Sequence, residues 1–170
     1  LTDEGEDITE EVLTDEEYVF LLVSPHLENA DDSQLDQINQ IYEYSKEQGY
    51  PFYCLTASTG RAISRWQDIT GAEYSFSPAD EITLKTIVRS NPGLLLLKQG
   101  TIIGKWSHND LPVISDEQFS QPLGELPFGQ MQANSVPGKI ARLLLWFVLP
   151  LMVLTIADRL WAWSQWLRAK

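Results

Sequence analysis

Few side chains in this sequence could do chemistry unaided. Cys54 is the single cysteine among 170 residues, and His26 and His108 are the two histidines. One cysteine excludes an intrachain disulfide and any multi-cysteine metal site. The histidines stand far apart and show no ligand spacing such as H-x-x-x-H, so neither a metal nor a cofactor is expected. Cys54 lies inside Phe52-Tyr53-Cys54-Leu55, an apolar run of strand length, where a thiol is expected to be buried and inert. His26 follows Ser24-Pro25 and has no partner identifiable from spacing, so it is expected on a surface loop. Trp66 and Trp106 read as core or edge aromatics rather than as a ligand cage.

The elements that would position these residues follow from the hydrophobic pattern. Tyr18 to Val23 is a continuous apolar run that suits a central strand covered on both faces, and Ser24-Pro25 ends it. Asp31-Asp32-Ser33 offer caps for a helix to about Gln48, with Leu35, Ile38, Ile41, Tyr42 and Ser45 on one face and Gly49 as C-cap. Pro51 to Thr56 is a second strand, and a helix of crossover length between two such runs predicts a right-handed parallel βαβ unit. Ser58 or Thr59 would cap a second helix through Arg61, Ile63, Trp66 and Ile69, stopped at Gly71. Gly71 to Phe76 returns as a short edge piece or loop. Ser77-Pro78-Ala79-Asp80-Glu81 then opens a third helix with proline and acids in its first turn and an apolar stripe of Ile82, Thr83, Thr86 and Ile87. It leads to Asn91-Pro92 and a hairpin of Leu94–Leu97 and Thr101–Ile103 with Lys98-Gln99-Gly100 at its tip. Pro92 fits the first position of a strand, a place where a cis bond can sit.

Charge is uneven. Residues 1–138 hold 23 acids and 7 Lys/Arg, a net −16, whereas 139–170 hold 1 acid and 5 Lys/Arg, a net +4. No Lys or Arg precedes Lys46, which argues against nucleic-acid binding. Residues 1–17 carry nine acids and by composition read as a frayed acidic terminus. Residues 111–138, with four prolines and no regular period, read as a linker. Residues 139–165 form the second organised element. Leu143–Leu154 is twelve apolar residues, and the flanking apolar positions of 140–163 extend it to the ~20 residues that cross ~30 Å of hydrocarbon. Trp146, Trp161, Trp163 and Trp166 suit interfaces, and 166–170 is a basic tail. Asp158 interrupts the run, so an amphipathic surface helix is the competing reading. The slight basic excess beyond the helix places the C-terminus in the cytoplasm and the acidic domain outside.

The order βαβ, helix, connecting segment, helix, ββ, with P-x-L-L-L-x-x-x-G-x-I at Pro92–Ile102, resembles a thioredoxin-like α/β sandwich over 18–110. The same resemblance, to thiol-disulfide oxidoreductases and peroxiredoxins, implies a short hairpin turning at Gly5 as the alternative for residues 1–17. Redox-active members of that superfamily carry C-x-x-C after the first central strand, where a helix N-terminus lowers the thiol pKa. The matching stretch here is Ser24-Pro25-His26-Leu27-Glu28-Asn29, and dithiol exchange needs a thiolate that none of these residues supplies. The segments Tyr50–Ser58, Thr70–Tyr74 and Asp80–Gly93, with Gly5–Thr9, are similar to the C-terminal thioredoxin-like domain of DoxX-family bacterial membrane proteins. That resemblance implies a membrane unit upstream of Leu1, so the chain is expected to be a fragment or a processed product.

The function expected is therefore a membrane-anchored, redox-inactive binding or assembly module in the bacterial inner membrane, its domain periplasmic. Its partners would be the bilayer, through 140–163, and its own upstream membrane unit or a periplasmic protein. By resemblance, the binding surface is a groove between Ser24–Asn29 and Asn91-Pro92, where relatives pair extended peptides beside the cis-proline. The alternative is a redox-associated subunit of a membrane oxidoreductase that uses cysteines outside the chain, or Cys54 itself.

Overall fold

The computed structural model describes residues 9–130 and 136–168. The elements are α1 (Thr9–Thr14), β1 (Tyr18–Ser24), α2 (Leu35–Gln48), β2 (Phe52–Thr56), α3 (Gly60–Thr70), β3 (Ser75–Pro78), α4 (Glu81–Ile87), β4 (Gly93–Lys98), β5 (Thr101–Ser107), α5 (Asp116–Phe119) and α6 (Val136–Arg168). Short 3-10 turns occupy Leu27–Asn29, His108–Asp110 and Leu123–Glu125. The strands form one sheet in the order β3-β2-β1-β4-β5. β1 runs parallel to β2 and antiparallel to β4, and all seven of its residues are buried, as a continuous apolar run requires.

Strand alternation splits the interior into two layers. Tyr18, Phe20 and Leu22 of β1 join Leu94 and Leu96 of β4 under α2 and α3, meeting Ile38, Ile41, Tyr44, Ile63 and Trp66. Val19, Leu21 and Val23 face the other way, with Leu95 and Leu97, against Val12 of α1 and Leu84 and Val88 near α4. Helix α2 ends where predicted, at Gly49 in the left-handed region with φ 76°. The β4–β5 hairpin turns through Gln99 and Gly100, at φ 50° and 67°, the paired positive values of a two-residue turn that follows strand twist. Gly104 lies beneath the Trp106 indole, and a β-carbon there would collide with the ring.

The structure corrects several local expectations. Thr9–Thr14 is helical, so no hairpin extends through it; Gly5 lies outside the described residues. The N-cap of α2 is Gln34, because Asp31 spends its carboxylate on an Asx turn to the Ser33 amide, 2.9 Å away. Of the two readings of Gly71–Phe76 the edge piece holds, since Ser75–Pro78 forms β3, parallel to β2, but Pro78 closes that strand instead of opening a helix. Asp80 caps α4 by accepting from the Thr83 amide at 2.8 Å. The buried position of α4 is Leu84, while Ile82 is 73% exposed, so the stripe falls about two residues from the expected one.

The largest correction concerns residues 111–130, expected as a tether. Ile114, Leu123 and Leu126 are fully buried in the layer beneath α2. Gln37, Gln40 and Gln48 of α2 donate to the carbonyls of Pro112, Ile114 and Phe119 at 2.9–3.1 Å. Tyr44 and Tyr18 donate to those of Gln121 and Gly129, at 2.7 and 3.0 Å. A segment without its own ladder thus has its backbone satisfied by long polar side chains, which no periodicity reveals. The chain divides into two compact units, 1–131 and 132–170. In the second, α6 contains an 18-residue apolar stretch, Leu144–Trp161, of mean hydropathy 1.7.

Candidate functional site

The site predicted from sequence is the loop after β1 together with the turn before β4. β1 delivers Ser24 to the end of the central strand, and the Asn91-Pro92 bond is cis, as its position at a strand start predicts. The structure brings both segments together through Asn91. Ser24 Oγ donates to Asn91 Oδ1 at 2.7 Å, and Asn91 Nδ2 donates to the carbonyl of His26 at 2.7 Å. The Asn91 carbonyl accepts from the Asp31 amide at 2.9 Å. One amide side chain and its own main chain therefore stitch the loop onto the proline turn.

The end of β2 holds the other flank. The Ala57 amide donates to the Pro25 carbonyl at 3.3 Å. Ser58 Oγ accepts from the Leu27 amide at 2.9 Å and donates to Glu28 Oε2 at 2.6 Å. That hydroxyl is the main reason the Glu28 carboxyl sits below its ordinary range. From α4, Glu81 Oε1 lies 3.0 Å from His26 Nε2 and also pairs with Lys85. The Lys85 hydrogen bond first, then that of His26, holds the Glu81 carboxyl low. After β5, His108 Nε2 stands 3.4 Å from Asp31 Oδ2.

These contacts join the two segments expected to flank a groove and leave little of them open. Pro92, Ser24, Pro25 and Leu27 are buried, His26 and Asn91 are half-buried, and only Glu28 and Asn29 stand exposed. The Asn91 carbonyl next to the cis-proline already accepts from the Asp31 amide. The physical reason is the asparagine itself, whose amide supplies both an acceptor and a donor at the seam.

The arrangement contains no activated nucleophile among the described residues. The Ser24 hydroxyl is fully buried and donates to an amide, not to a base. Cys54 is fully buried in β2 between Leu22 and Phe76, and burial pushes its thiol pKa up, away from the thiolate. Trp66 is a core residue whose indole donates to the Tyr74 hydroxyl at 3.0 Å, and Trp106 packs edge-on against Phe128. Among the described residues no cluster of His, Cys, Asp and Glu could hold a metal.

Sequence reasoning missed Ser58, Glu81, Asp31 and His108 as site residues. Of the two cap candidates Ser58 and Thr59, Thr59 is the N-cap of α3, which leaves Ser58 to the loop. The Glu81–Lys85 pair was legible from its i,i+4 spacing. The His26–Glu81 and His108–Asp31 pairs join residues distant in sequence and carry no local signal.

No protein-family model matches the chain, and no curated protein does. Among solved structures, the chain is similar to a Bacteroides thetaiotaomicron domain described as the C-terminal part of a thiol-disulfide oxidoreductase. The TM-score is 0.51 at 15% identity, covering 69% of this chain and 82% of that one. It is also similar to a thioredoxin from Wuchereria bancrofti, at TM-score 0.49 and 16% identity, covering 69% and 87%. Together with the strand order and the cis-proline, the first likeness shows that the fold is thioredoxin-like.

Proposed function

We propose that this chain is a membrane-anchored thioredoxin-like module without thiol chemistry of its own, serving as a binding or assembly part of a DoxX-type membrane protein. The observation that carries the reading is the seam. Where a redox relative needs an accessible thiol beside an open cis-proline, this chain has Ser24 bonded to Asn91, and its one thiol is sealed inside β2. A loop pinned from three directions is a rigid platform, and rigid platforms bind with little ordering cost. The exposed rim of Glu28 and Asn29 with half-buried His26, rather than a peptide groove, is the part of the loop a partner can touch. The apolar stretch of α6 supplies the anchor, and the acidic unit faces the periplasm by the charge bias of the sequence.

An insulin-reduction assay on the 170-residue chain in detergent tests this reading. No turnover above the buffer rate is expected, and the Cys54 thiol should react with an aromatic disulfide reagent only after denaturation. Turnover that disappears in Cys54→Ser would overturn it.

A further inference from the structure

Between the loop after β1 and helix α3 lies a cavity of ≈ 170 Å³. None of Asn91, Pro92 and Cys54 lines it, and it shares Leu27 and Glu28 with the loop after β1. Its apolar lining includes Leu27 and Trp66, both buried, and Ile69, which is 59% exposed although helical periodicity puts it on the apolar face of α3. One wall carries the Glu28 and Asp32 carboxylates and the other carries Arg65. Ser58 and the residue's own backbone N–H donate to the Glu28 carboxylate, whose two oxygens have lone pairs for a further donor. Arg65 has no ion-pair partner among the described residues, in a unit whose net charge is strongly negative. The cavity is smaller than the roughly 300–1,000 Å³ of sites for drug-sized ligands, which points to an occupant of amino-acid size.

From this separation of charge across an apolar cleft, we propose that the cavity binds a free α-amino acid with an apolar side chain. The ligand carboxylate meets the Arg65 guanidinium, whose fork suits a carboxylate. Its ammonium meets Glu28, with Asp32 nearby, and its side chain lies against Leu27, Trp66 and Ile69. A purely anionic ligand would meet two carboxylates, and a purely cationic one would meet Arg65; a zwitterion satisfies both walls. The site shares Glu28 with the rim of the proposed assembly role but does not require that role, and ligand titrations read binding alone.

The test follows the Trp66 indole N–H resonance of the isotope-labelled 170-residue chain in detergent micelles, assigned with Trp66→Phe. Titrations use leucine, N-acetylleucine and leucinamide. Leucine should move the resonance saturably, and each blocked analogue should bind at least about tenfold more weakly. Arg65→Met, a change at an exposed side chain, should weaken leucine about tenfold while leaving leucinamide unchanged. Glu28→Gln should weaken leucine while leaving N-acetylleucine unchanged. The proposal is overturned if leucine gives no saturable shift, if the blocked analogues bind as well as leucine, or if Arg65→Met weakens leucine and leucinamide alike. The Arg65 arm decides the matter even if Glu28→Gln disturbs the loop.

Discussion

Asn91 is the residue on which the site geometry turns. Asn91→Ala removes the acceptor of a fully buried hydroxyl and the donor to the His26 carbonyl. Leaving the buried Ser24 hydroxyl unpaired costs about 1–3 kcal/mol, which a urea denaturation series would read as a lower midpoint with an unchanged slope. The carboxylates of the loop and of the start of α4 predict a pH dependence of definite sign. Glu28, Asp31, Asp80 and Glu81 are all held below their ordinary values by hydrogen bonds. Their folded forms bind protons less readily than the unfolded chain, so their contribution is complete above the unfolded values, 4.5 for Glu and 3.8 for Asp, and is lost as pH falls through the folded ones. The urea midpoint should therefore fall between about pH 5 and pH 3, and fall less in Glu81→Gln than in the parent.

At the scale of elements, the segment after β5 decides where the folded unit ends. Its buried Ile114, Leu123 and Leu126 and its bonds from α2 make it a third wall of the α2 layer. Leu123→Ala should cost about 2–5 kcal/mol, as for a core leucine and not a tether residue. Thermal unfolding of fragments 1–110 and 1–131 gives the matching comparison: the longer one should melt cooperatively, and the shorter at a markedly lower temperature or without a sharp transition. Equal melting temperatures would return the segment to the status of a linker. The pattern of α4 teaches the same lesson on a smaller scale. Ile82 looks like a core residue, but the helix begins at Glu81, later than Pro78 implied, and this turns Leu84 inward instead.

At the scale of the molecule, two units of opposite character share one chain. Helix α6, at 1.5 Å per residue, is about 50 Å long, more than the ~30 Å hydrocarbon thickness. Along its apolar stretch Leu144, Val148, Leu151, Val153 and Leu154 are more than half exposed in the isolated unit, and Trp161 and Trp163 stand near its end. Expressed in a bacterial host, the 170-residue chain should sediment with membranes and resist carbonate extraction, whereas 1–138 should remain in the soluble fraction. Identical partition of the two would remove the anchor from the proposed function.

Much of this was written in local order along the chain. The apolar run of β1, the Gly49 and Gly71 helix ends, the hairpin at Gln99-Gly100 and the proline at the start of β4 each act over a few residues. Together they determine a thioredoxin-like strand order with no dithiol motif in its loop. What tertiary structure alone decided is how the loop after β1 is held. Asn91 lies 67 residues from Ser24 and Glu81 lies 55 from His26, and only the folded sheet brings them within hydrogen-bonding distance. The same holds for residues 111–130, whose order comes from glutamine and tyrosine side chains on other elements. Periodicity reports how a segment buries its own face; it is silent about backbone groups satisfied by a distant partner.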